Sequence, residues 1–300
     1  MVIHQKYHRE NIARRLFGKS RGEIAFNIVN YLIFAILFVL CLYPFIYVLV
    51  SSLQSQEVID GKSVQTISFE SYNIILNNNG LGRTFLLSVG TVAIYVLLST
   101  TLTVISAYPL TRRELKGRKF VLVLLLISML FSGGLIPYYL MIKQLGLFNN
   151  WLVYIFVGLI NPFYVIIVKN FISSIPNEVF ESARVDGASE FRIVFQIVMP
   201  LSGPIIATIS LWAGVSKWND WMTGILYMQN NKDLWLIQQF LRNILVTATP
   251  GQGVVDPSIM AMSESVKMAA IIISIVPIIL IYPFIQKYFV KGTMLGAVKG

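Results

Sequence analysis

The sequence predicts an all-α membrane protein with six transmembrane helices and both termini in the cytoplasm. Hydrophobic residues make up 56% of its 300 residues and charged residues only 13%, whereas soluble domains carry about 25% charged residues. The mean hydropathy is +0.70, and a helix satisfies its own backbone hydrogen bonds in lipid. This composition excludes an ordinary soluble enzyme, a secreted disulfide scaffold and a disordered chain.

Six apolar segments come close to the roughly 20 residues that a helix needs to cross a bilayer. They cover residues 24–50, 85–110, 120–142, 152–168, 205–228 and 268–290. Gly133, Gly134 and Pro137 interrupt the outer end of the third segment, which predicts a kink or a break there. We therefore expect a basic arm over residues 1–23 and a single six-span domain over residues 24–300, whose first span is a retained signal anchor.

Positive charge orients these spans. The chain has 24 Lys and Arg residues against 14 Asp and Glu residues, a formal net charge of +10. Seventeen of the 24 basic residues fall in the N-terminal arm, the second loop, the fourth loop and the C-terminal tail. Cytoplasmic loops collect Lys and Arg, so this side is predicted to be cytoplasmic.

The cytoplasmic loop over residues 175–200 carries a pattern of two short amphipathic helices joined by a turn. Pro176 suits a first helical turn, and Gly187 allows the chain to reverse. The second helix has apolar residues at i, i+3, i+4 and i+7, and Pro200 is expected to end it before the fifth span. Its apolar positions are Phe191, Val194, Phe195 and Val198.

Small side chains at the turn of this loop allow another backbone to approach closely. Ala183 and Gly187 occupy that point, and Glu181, Asp186 and Glu190 surround it with acidic groups. Such a surface suits a partner groove that contains Arg or Lys. A plain connector lying on lipid headgroups is the alternative interpretation.

The same loop resembles the EAA loop of ABC importer permeases. The chain reads Glu181-Ser182-Ala183, three residues, Gly187, nine residues, Ile197, one residue, Met199-Pro200. The family pattern is Glu-Ala-Ala, three, Gly, nine, Ile, one, Leu-Pro, so the chain departs from it at Ser182 and Met199. The resemblance implies an all-α permease with an amphipathic coupling helix between spans four and five. The implied ATPase-coupling residues are Glu181, Ser182, Ala183, Asp186, Gly187, Ile197 and Pro200.

Other strings resemble the carbohydrate, maltose-permease-like type of this family and its complex-oligosaccharide subgroup. They are Trp218-Asn219-Asp220, residues 132–137, residues 282–292 and the tail 296–300. The resemblance implies a bacterial cytoplasmic membrane protein with a second homologous permease, two ATPase subunits, an extracellular or periplasmic solute-binding protein and an oligosaccharide substrate. A heterodimer is favoured over a homodimer. ATP and Mg would bind the ATPase subunits, and this chain would bind no cofactor and catalyse no reaction.

Span five contains charged and polar residues among indole rings, which is unusual because charges within a span normally face a cavity or a partner. Indole rings beside amide and carboxylate groups suit the apolar faces and hydroxyl rims of sugars. The alternative is structural, with tryptophans at the membrane surface and Lys217 paired with Asp220 in a helix contact. The candidate solute-pathway residues are Lys217, Trp218, Asn219, Asp220 and Trp221.

The outer loop over residues 229–267 is placed either to meet a binding protein or to cover the outer face of the spans.

The sequence of residues 13–20 is close to that of a phosphate-binding loop, but Ala13 replaces the first glycine of the motif. A metal site at His4 and His8 is not expected, because no third ligand accompanies these two histidines. Rival functions are an ABC permease for another solute, a stand-alone channel or secondary transporter, and a membrane-embedded enzyme; we find no repeat, charge relay or clustered catalytic groups for the last two.

Overall fold

The computed structural model describes residues 21–59, 62–77, 79–247 and 264–297. Its helices are α1 (Arg21–Ser52), α2 (Glu70–Leu76), α3 (Asn79–Ala107), α4 (Arg118–Leu130), α5 (Leu135–Gln144), α6 (Leu152–Phe156), α7 (Pro162–Ile172), α8 (Asn177–Val185), α9 (Glu190–Ile193), α10 (Met199–Leu201), α11 (Gly203–Trp218), α12 (Met222–Tyr227), α13 (Ile237–Thr247) and α14 (Glu264–Ala297). Short 3₁₀ turns cover Pro109–Thr111 and Lys232–Leu234, and a π-helical segment covers Val194–Val198.

A β-hairpin occupies part of the segment between the first two predicted spans, so the described fold is mostly rather than wholly helical. Strand β1 (Gln54–Ile59) pairs antiparallel with β2 (Lys62–Ile67). The hairpin is followed by α2, whose Ser71 and Ile75 are buried. The loop between the first two spans is therefore ordered secondary structure over most of its described length.

Three described helices are long and apolar enough to cross a membrane. They correspond to the first, second and last predicted spans, over 22–52, 80–111 and 264–283. Two bent pairs also pass as spans if each pair is counted once: α4 with α5, bent by 115°, and the segment Glu190–Leu201 with α11, bent by 83°. By length and composition the described residues thus contain three to five spans.

The predicted break in the third span is confirmed. The chain leaves α4 at Phe131, and α5 begins after Gly134, which has a φ of +88°. The predicted fourth span is also interrupted, because α7 starts only at Pro162, where Asn161 caps it by accepting from the Phe163 N–H at 2.9 Å. A proline at the first helical position has no N–H to lose.

The bundle packs around α3, which contacts α7, α11 and α13. A stripe of small hydroxyl residues on α3 is buried: Thr84, Ser88, Thr91, Ser99, Thr100 and Thr103. Several of these hydroxyls donate to carbonyls one turn earlier, such as Thr103 Oγ1 to the Ser99 carbonyl at 2.6 Å. Small side chains let neighbouring helices approach closely, as is typical of membrane bundles.

Helix α1 lies at the edge of this bundle and packs against α14. Large apolar side chains along it are exposed, for example Phe26 at 70% and Tyr31 at 74%. An exposed apolar surface of this length fits contact with lipid rather than water.

Candidate functional site

The predicted helix–turn–helix of the fourth loop is present. Helix α8 ends in a Schellman cap, in which the Ala188 N–H donates to the Ala183 carbonyl and the Gly187 N–H donates to the Arg184 carbonyl, both at 2.9 Å. Gly187 has a φ of +77°, which side chains other than glycine rarely adopt. The turn is therefore defined by the glycine that the sequence pattern singled out.

This turn is open on its outer side. Glu181, Ser182, Asp186 and Gly187 are exposed, whereas Ala183 is buried at 8% exposure. A Cβ atom added at Gly187 would meet no atom within 4 Å. The space around the turn is thus free, and a side chain there would be opposed only by the backbone conformation.

Glu190 is exposed, as the sequence suggested, but it differs from Glu181 and Asp186 because its carboxylate is engaged within the chain. Its carboxylate accepts hydrogen bonds from Tyr108 Oη at 2.5 Å and from Arg184 Nε at 3.0 Å. The Tyr108 hydroxyl and the Arg184 guanidinium stabilise the charged form and hold the pKa of Glu190 below its usual value. We call Tyr108, Arg184 and Glu190 the elbow brace, because their hydrogen bonds connect the helices on both sides of the turn to the residue that follows α3.

The helix after the turn ends at Leu201, one residue past Pro200, so the predicted end of this helix before the fifth span is confirmed to within a residue. Ser189 caps α9, and the chain then passes through the π-helical segment to α10, which ends at Leu201. Proline has no backbone N–H, so it disturbs the hydrogen-bonding register of the preceding turn, and a wider π turn accommodates this. The break before α11 falls at Ser202.

One side of this loop packs into the bundle and the other remains open. Phe180, Ile193, Val194 and Val198 are buried in one cluster with residues of α3, α7 and α11, and Ile197 packs against it. Other apolar side chains point outward: Val185 is 87% exposed, Phe191 73% and Phe195 46%. The predicted apolar stripe is therefore split between a core contact and a free surface.

The charged residues of span five form an internal contact. Lys217 is 4% exposed; its Nζ lies 3.0 Å from Asp220 Oδ2 and 4.5 Å from the Tyr95 ring centroid. Asp220 also accepts from the Thr223 N–H at 3.0 Å and from the Thr223 hydroxyl at 2.7 Å, in the first turn of α12. This geometry favours the structural alternative for Lys217 and Asp220.

Trp218 is likewise internal. It is 6% exposed, its Nε1 donates to the Ser274 carbonyl at 3.1 Å, and its ring meets Phe85 edge-on at 5.9 Å. Asn219 is exposed, and its side-chain amide donates to the Val215 carbonyl at 2.9 Å. The structure therefore does not gather the five candidate solute-pathway residues into one site.

Trp221 belongs to a different cluster, which sequence reasoning missed. The Arg242 guanidinium lies 3.7 Å from the centroid of the Trp221 ring. Arg242 also lines a pocket of about 270 Å³ between α12 and α13. The pocket residues are Ile225, Gln229, Trp235, Gln239, Arg242 and Asn243. Amides, an indole ring and a cation together can bind a hydroxylated ligand that carries a carboxylate.

A close backbone approach shapes the base of this pocket. Gln239 is buried and accepts from Tyr154 Oη at 3.1 Å. A Cβ atom on Gly224 would lie only 1.7 Å from Gln239 Oε1. Gly224 is thus required so that the Gln239 side chain can reach its partner.

Some predictions fall on residues outside the described ranges. They are the near phosphate loop at 13–20, His4 and His8, the part of the outer loop at 248–263 and the last residues of the tail at 298–300. Within the described residues, no three His, Cys, Asp or Glu side chains come together in a way that could hold a metal ion.

The fold is a bundle of apolar helices that includes two bent helix pairs, and an exposed turn packs against one end of the bundle. These features define a multi-pass membrane component. The family described as "Binding-protein-dependent transport system inner membrane component" matches residues 119–294. The chain belongs to this family, and it is therefore a multi-pass inner membrane component of a binding-protein-dependent ABC transporter.

Two relatives from Bacillus subtilis (strain 168) match nearly the whole chain. The polygalacturonan/rhamnogalacturonan transport system permease protein YtcP is 41% identical over 277 residues, which cover 89% of this chain and 96% of YtcP. Protein LplC is 37% identical over 296 residues, which cover 94% of this chain and 97% of LplC.

A solved structure of a bacterial ABC transporter involved in the import of the acidic polysaccharide alginate has the same fold. One of its chains matches with a TM-score of 0.81 and 28% identity, covering 90% of this chain and 99% of that chain.

Proposed function

We propose that the chain is the permease subunit through which an ATP-driven importer moves oligosaccharides. The names of the relatives support this substrate class, since one transports polygalacturonan or rhamnogalacturonan and another imports alginate. A membrane component of this kind needs no catalytic site of its own, because separate ATPase subunits supply the energy.

The proposed topology has six spans and cytoplasmic termini. The three long helices, the bent pair of α4 and α5, and α11 account for five spans, whereas the segment Glu190–Leu201 that meets α11 at 83° lies in the cytoplasmic loop. The interrupted pair α6 and α7 supplies the sixth, since α7 is apolar over 11 residues. The excess of Lys and Arg on one side orients this arrangement.

The exposed turn at Gly187 carries the proposal. Its outer side is free, acidic groups at Glu181 and Asp186 border it, and its inner side belongs to the same core as α3, α7 and α11. An ATPase subunit that grips this turn from the cytoplasm would move α8 and, through the shared core, α11. ATP binding and hydrolysis would thus become a movement of the spans.

This mechanism requires several partners. One six-span chain forms half of a pathway, so a second homologous permease completes it. Two ATPase subunits hold ATP and Mg and engage the turns from the cytoplasm. A solute-binding protein outside the cytoplasmic membrane delivers the oligosaccharide.

The pocket beside Trp221 is the proposed sugar contact. Arg242 over the Trp221 ring supplies a cation beside an aromatic face, and Gln229 and Asn243 supply amides at the pocket. Lys217 and Trp218, which are buried and bonded within the bundle, support the shape of span five instead.

Charge reversal at the turn tests the coupling role. In the assembled transporter, reconstituted in proteoliposomes with its binding protein, the double variant Glu181→Lys with Gly187→Arg should lower ATP-driven oligosaccharide uptake by at least about tenfold, since the turn would lose both its acidic group and its free space. The matched control is Glu178→Lys, an exposed acid in the first turn of the same helix. Full uptake by the double variant in an intact complex would refute the role of the turn.

A solute panel tests the substrate class independently. ATPase activity of the complex with its binding protein should rise with oligosaccharides and remain at the basal level with amino acids or inorganic ions. Stimulation by amino acids or ions alone would overturn the oligosaccharide assignment while leaving the family unaffected.

A further inference from the structure

A strongly basic pocket lies beside the coupling loop. Its volume is about 380 Å³, and it is formed by the chain after α3, the start of α4, the end of α7 and one side of α8. Its cationic lining residues are Arg112, Arg113, Arg118, Lys169 and Arg184, and its acidic lining residues are Glu114 and Glu181. The lining therefore has a formal excess of three positive charges.

Most of this positive charge is not neutralised by the chain. Arg184 pairs with Glu190, but Arg112, Arg113, Arg118 and Lys169 form no ion pair with any residue that the structure describes. Uncompensated cations that share one pocket repel each other, and an anion bound among them removes that repulsion.

Apart from Arg184, the cations of this pocket that donate hydrogen bonds do so to neutral acceptors. Arg118 Nε donates to the Leu110 carbonyl at 2.7 Å, and Lys169 Nζ donates to Asn170 Oδ1 at 3.2 Å. These contacts position the side chains and leave their charge available to a ligand.

Arg112 is held in place on its aromatic neighbours. Its guanidinium lies 4.8 Å from the ring centroids of both Tyr108 and Phe180. Its Nε is buried and has no acceptor among the described residues. A buried donor without a partner is uncommon and points to an acceptor that the chain itself does not supply.

The neighbouring helix indicates what kind of anion fits. Helix α4 begins at the pocket with Arg118, and none of its residues is buried. Its apolar side chains Phe120, Val123, Leu124 and Ile127 are exposed by 48% to 69%. A basic pocket at the end of an exposed apolar helix matches a phospholipid, whose charged headgroup and acyl chains lie next to each other in the same way.

We propose that this pocket binds the phosphate group of an anionic phospholipid whose acyl chains lie along α4. Guanidinium groups pair with phosphate through parallel hydrogen bonds, and basic pockets between helix ends on the cytoplasmic side bind anionic headgroups. The proposal rests on the cytoplasmic placement of this loop given above. Because Phe180 and Arg184 of α8 also line the pocket, a bound lipid joins the coupling helix to α4 and α7.

Lipid binding to the complete transporter tests the proposal without any transport measurement. After delipidation, the complex is titrated with phosphatidylglycerol and, separately, with phosphatidylcholine, and bound lipid is counted by native mass spectrometry. The wild-type complex should retain phosphatidylglycerol in preference to phosphatidylcholine. The double variant Arg113→Gln with Lys169→Gln should weaken phosphatidylglycerol binding by about 30-fold, as expected for two cations removed from an anionic ligand.

The matched control is Lys143→Gln, an exposed lysine in the last turn of α5, away from the pocket. It should bind phosphatidylglycerol as the wild type does. Equal retention of the two lipids by the wild type overturns the proposal and needs no variant, so a folding defect cannot hide it. Equal phosphatidylglycerol binding by the double variant and the wild type also overturns it.

Two further arms distinguish other anions. Binding of inorganic phosphate with no preference between the two lipids overturns the lipid as the source of the phosphate group. Loss of an ATPase subunit from the double variant, with phosphatidylglycerol binding unchanged, assigns the pocket to carboxylates of a protein partner and overturns the proposal as well.

Discussion

The ion pair within span five allows a sharp test of what its charges do. Lys217 Nζ and Asp220 Oδ2 are 3.0 Å apart, and their side chains are only 5% and 17% exposed. We predict that Lys217→Met destabilises the protein, because it leaves the Asp220 carboxylate buried without its cation.

The structure sets the size of this effect. Breaking a buried ion pair by removing one partner costs about 3–5 kcal/mol. Asp220 keeps two hydrogen bonds from Thr223, which still solvate its charge, so the lower end, about 3 kcal/mol, is expected. In the double variant Lys217→Met with Asp220→Asn, the Asn oxygen can still accept from the Thr223 N–H, and we expect about 2 kcal/mol of this loss to be recovered.

Thermal unfolding of the purified transporter measures this difference. A loss of about 3 kcal/mol should lower the melting temperature by roughly 6–12 °C at about 2–4 °C per kcal/mol. At a low temperature, at which the variant remains folded, its KM for oligosaccharide uptake should equal that of the wild type. The reason is that Lys217 is enclosed by Tyr95 and the Val157 carbonyl.

Two results would refute this reasoning. Equal melting temperatures for the single and double variants would show that the unpaired Asp220 carboxylate is not the cause of the destabilisation. A raised KM for the oligosaccharide with an unchanged melting temperature would return Lys217 to the solute pathway.

Two further predictions concern close contacts elsewhere. Gly224→Ala should displace Gln239, since its Cβ would overlap the Gln239 Oε1 position, and should destabilise the protein by about 1–3 kcal/mol; an unchanged melting temperature would contradict this close contact. Glu190→Gln should weaken the elbow brace by roughly 1 kcal/mol or less, because the pair with Arg184 is largely exposed. The pKa of Glu190 is lowered in the folded protein, so its contribution is complete above the pKa of the unfolded chain and is lost as the pH falls through the lowered pKa. The difference in melting temperature between the wild type and Glu190→Gln should therefore be present at neutral pH and vanish at strongly acidic pH; a difference that persists there would exclude the charge as its cause.

The sequence was sufficient for features that depend on local chemistry. Long apolar runs predicted the three continuous spans, and Gly133, Gly134 and Pro137 predicted the break in the third span. Gly187 predicted the turn of the loop over residues 175–200. Each depends on the backbone preferences or hydropathy of neighbouring residues.

Features that depend on distant contacts were not predictable in this way. The sequence predicted the end of the helix near Pro200, but it did not predict the π-helical segment Val194–Val198, whose Val194 and Val198 are buried against α3, α7 and α11. The pair of Arg242 with Trp221 joins residues in two separate elements, and no spacing rule connects them. An amphipathic helix in the outer loop, Ile237–Thr247, was the available signal, since its apolar side packs on α3 and its polar side carries Arg242.

The acidic residues of the loop over residues 175–200 show the same limit. In the sequence, Glu181, Asp186 and Glu190 are acidic residues near one glycine, and nothing distinguishes their roles. In the structure, Glu190 is hydrogen-bonded to Tyr108, which lies 82 positions away. Only the packing of α3 against the loop separates the acid that braces the loop from those that remain free.

The bend at Ser202 determines the direction in which the two helical pieces on either side of it can influence each other. The segment Glu190–Leu201 meets α11 at 83°, so a shift of that segment along its own axis is directed almost perpendicular to α11. Such a shift swings the near end of α11 sideways and hardly slides the helix lengthwise. Helix α11 has 16 residues and is therefore about 24 Å long. A small sideways displacement of one end changes the tilt of the whole helix.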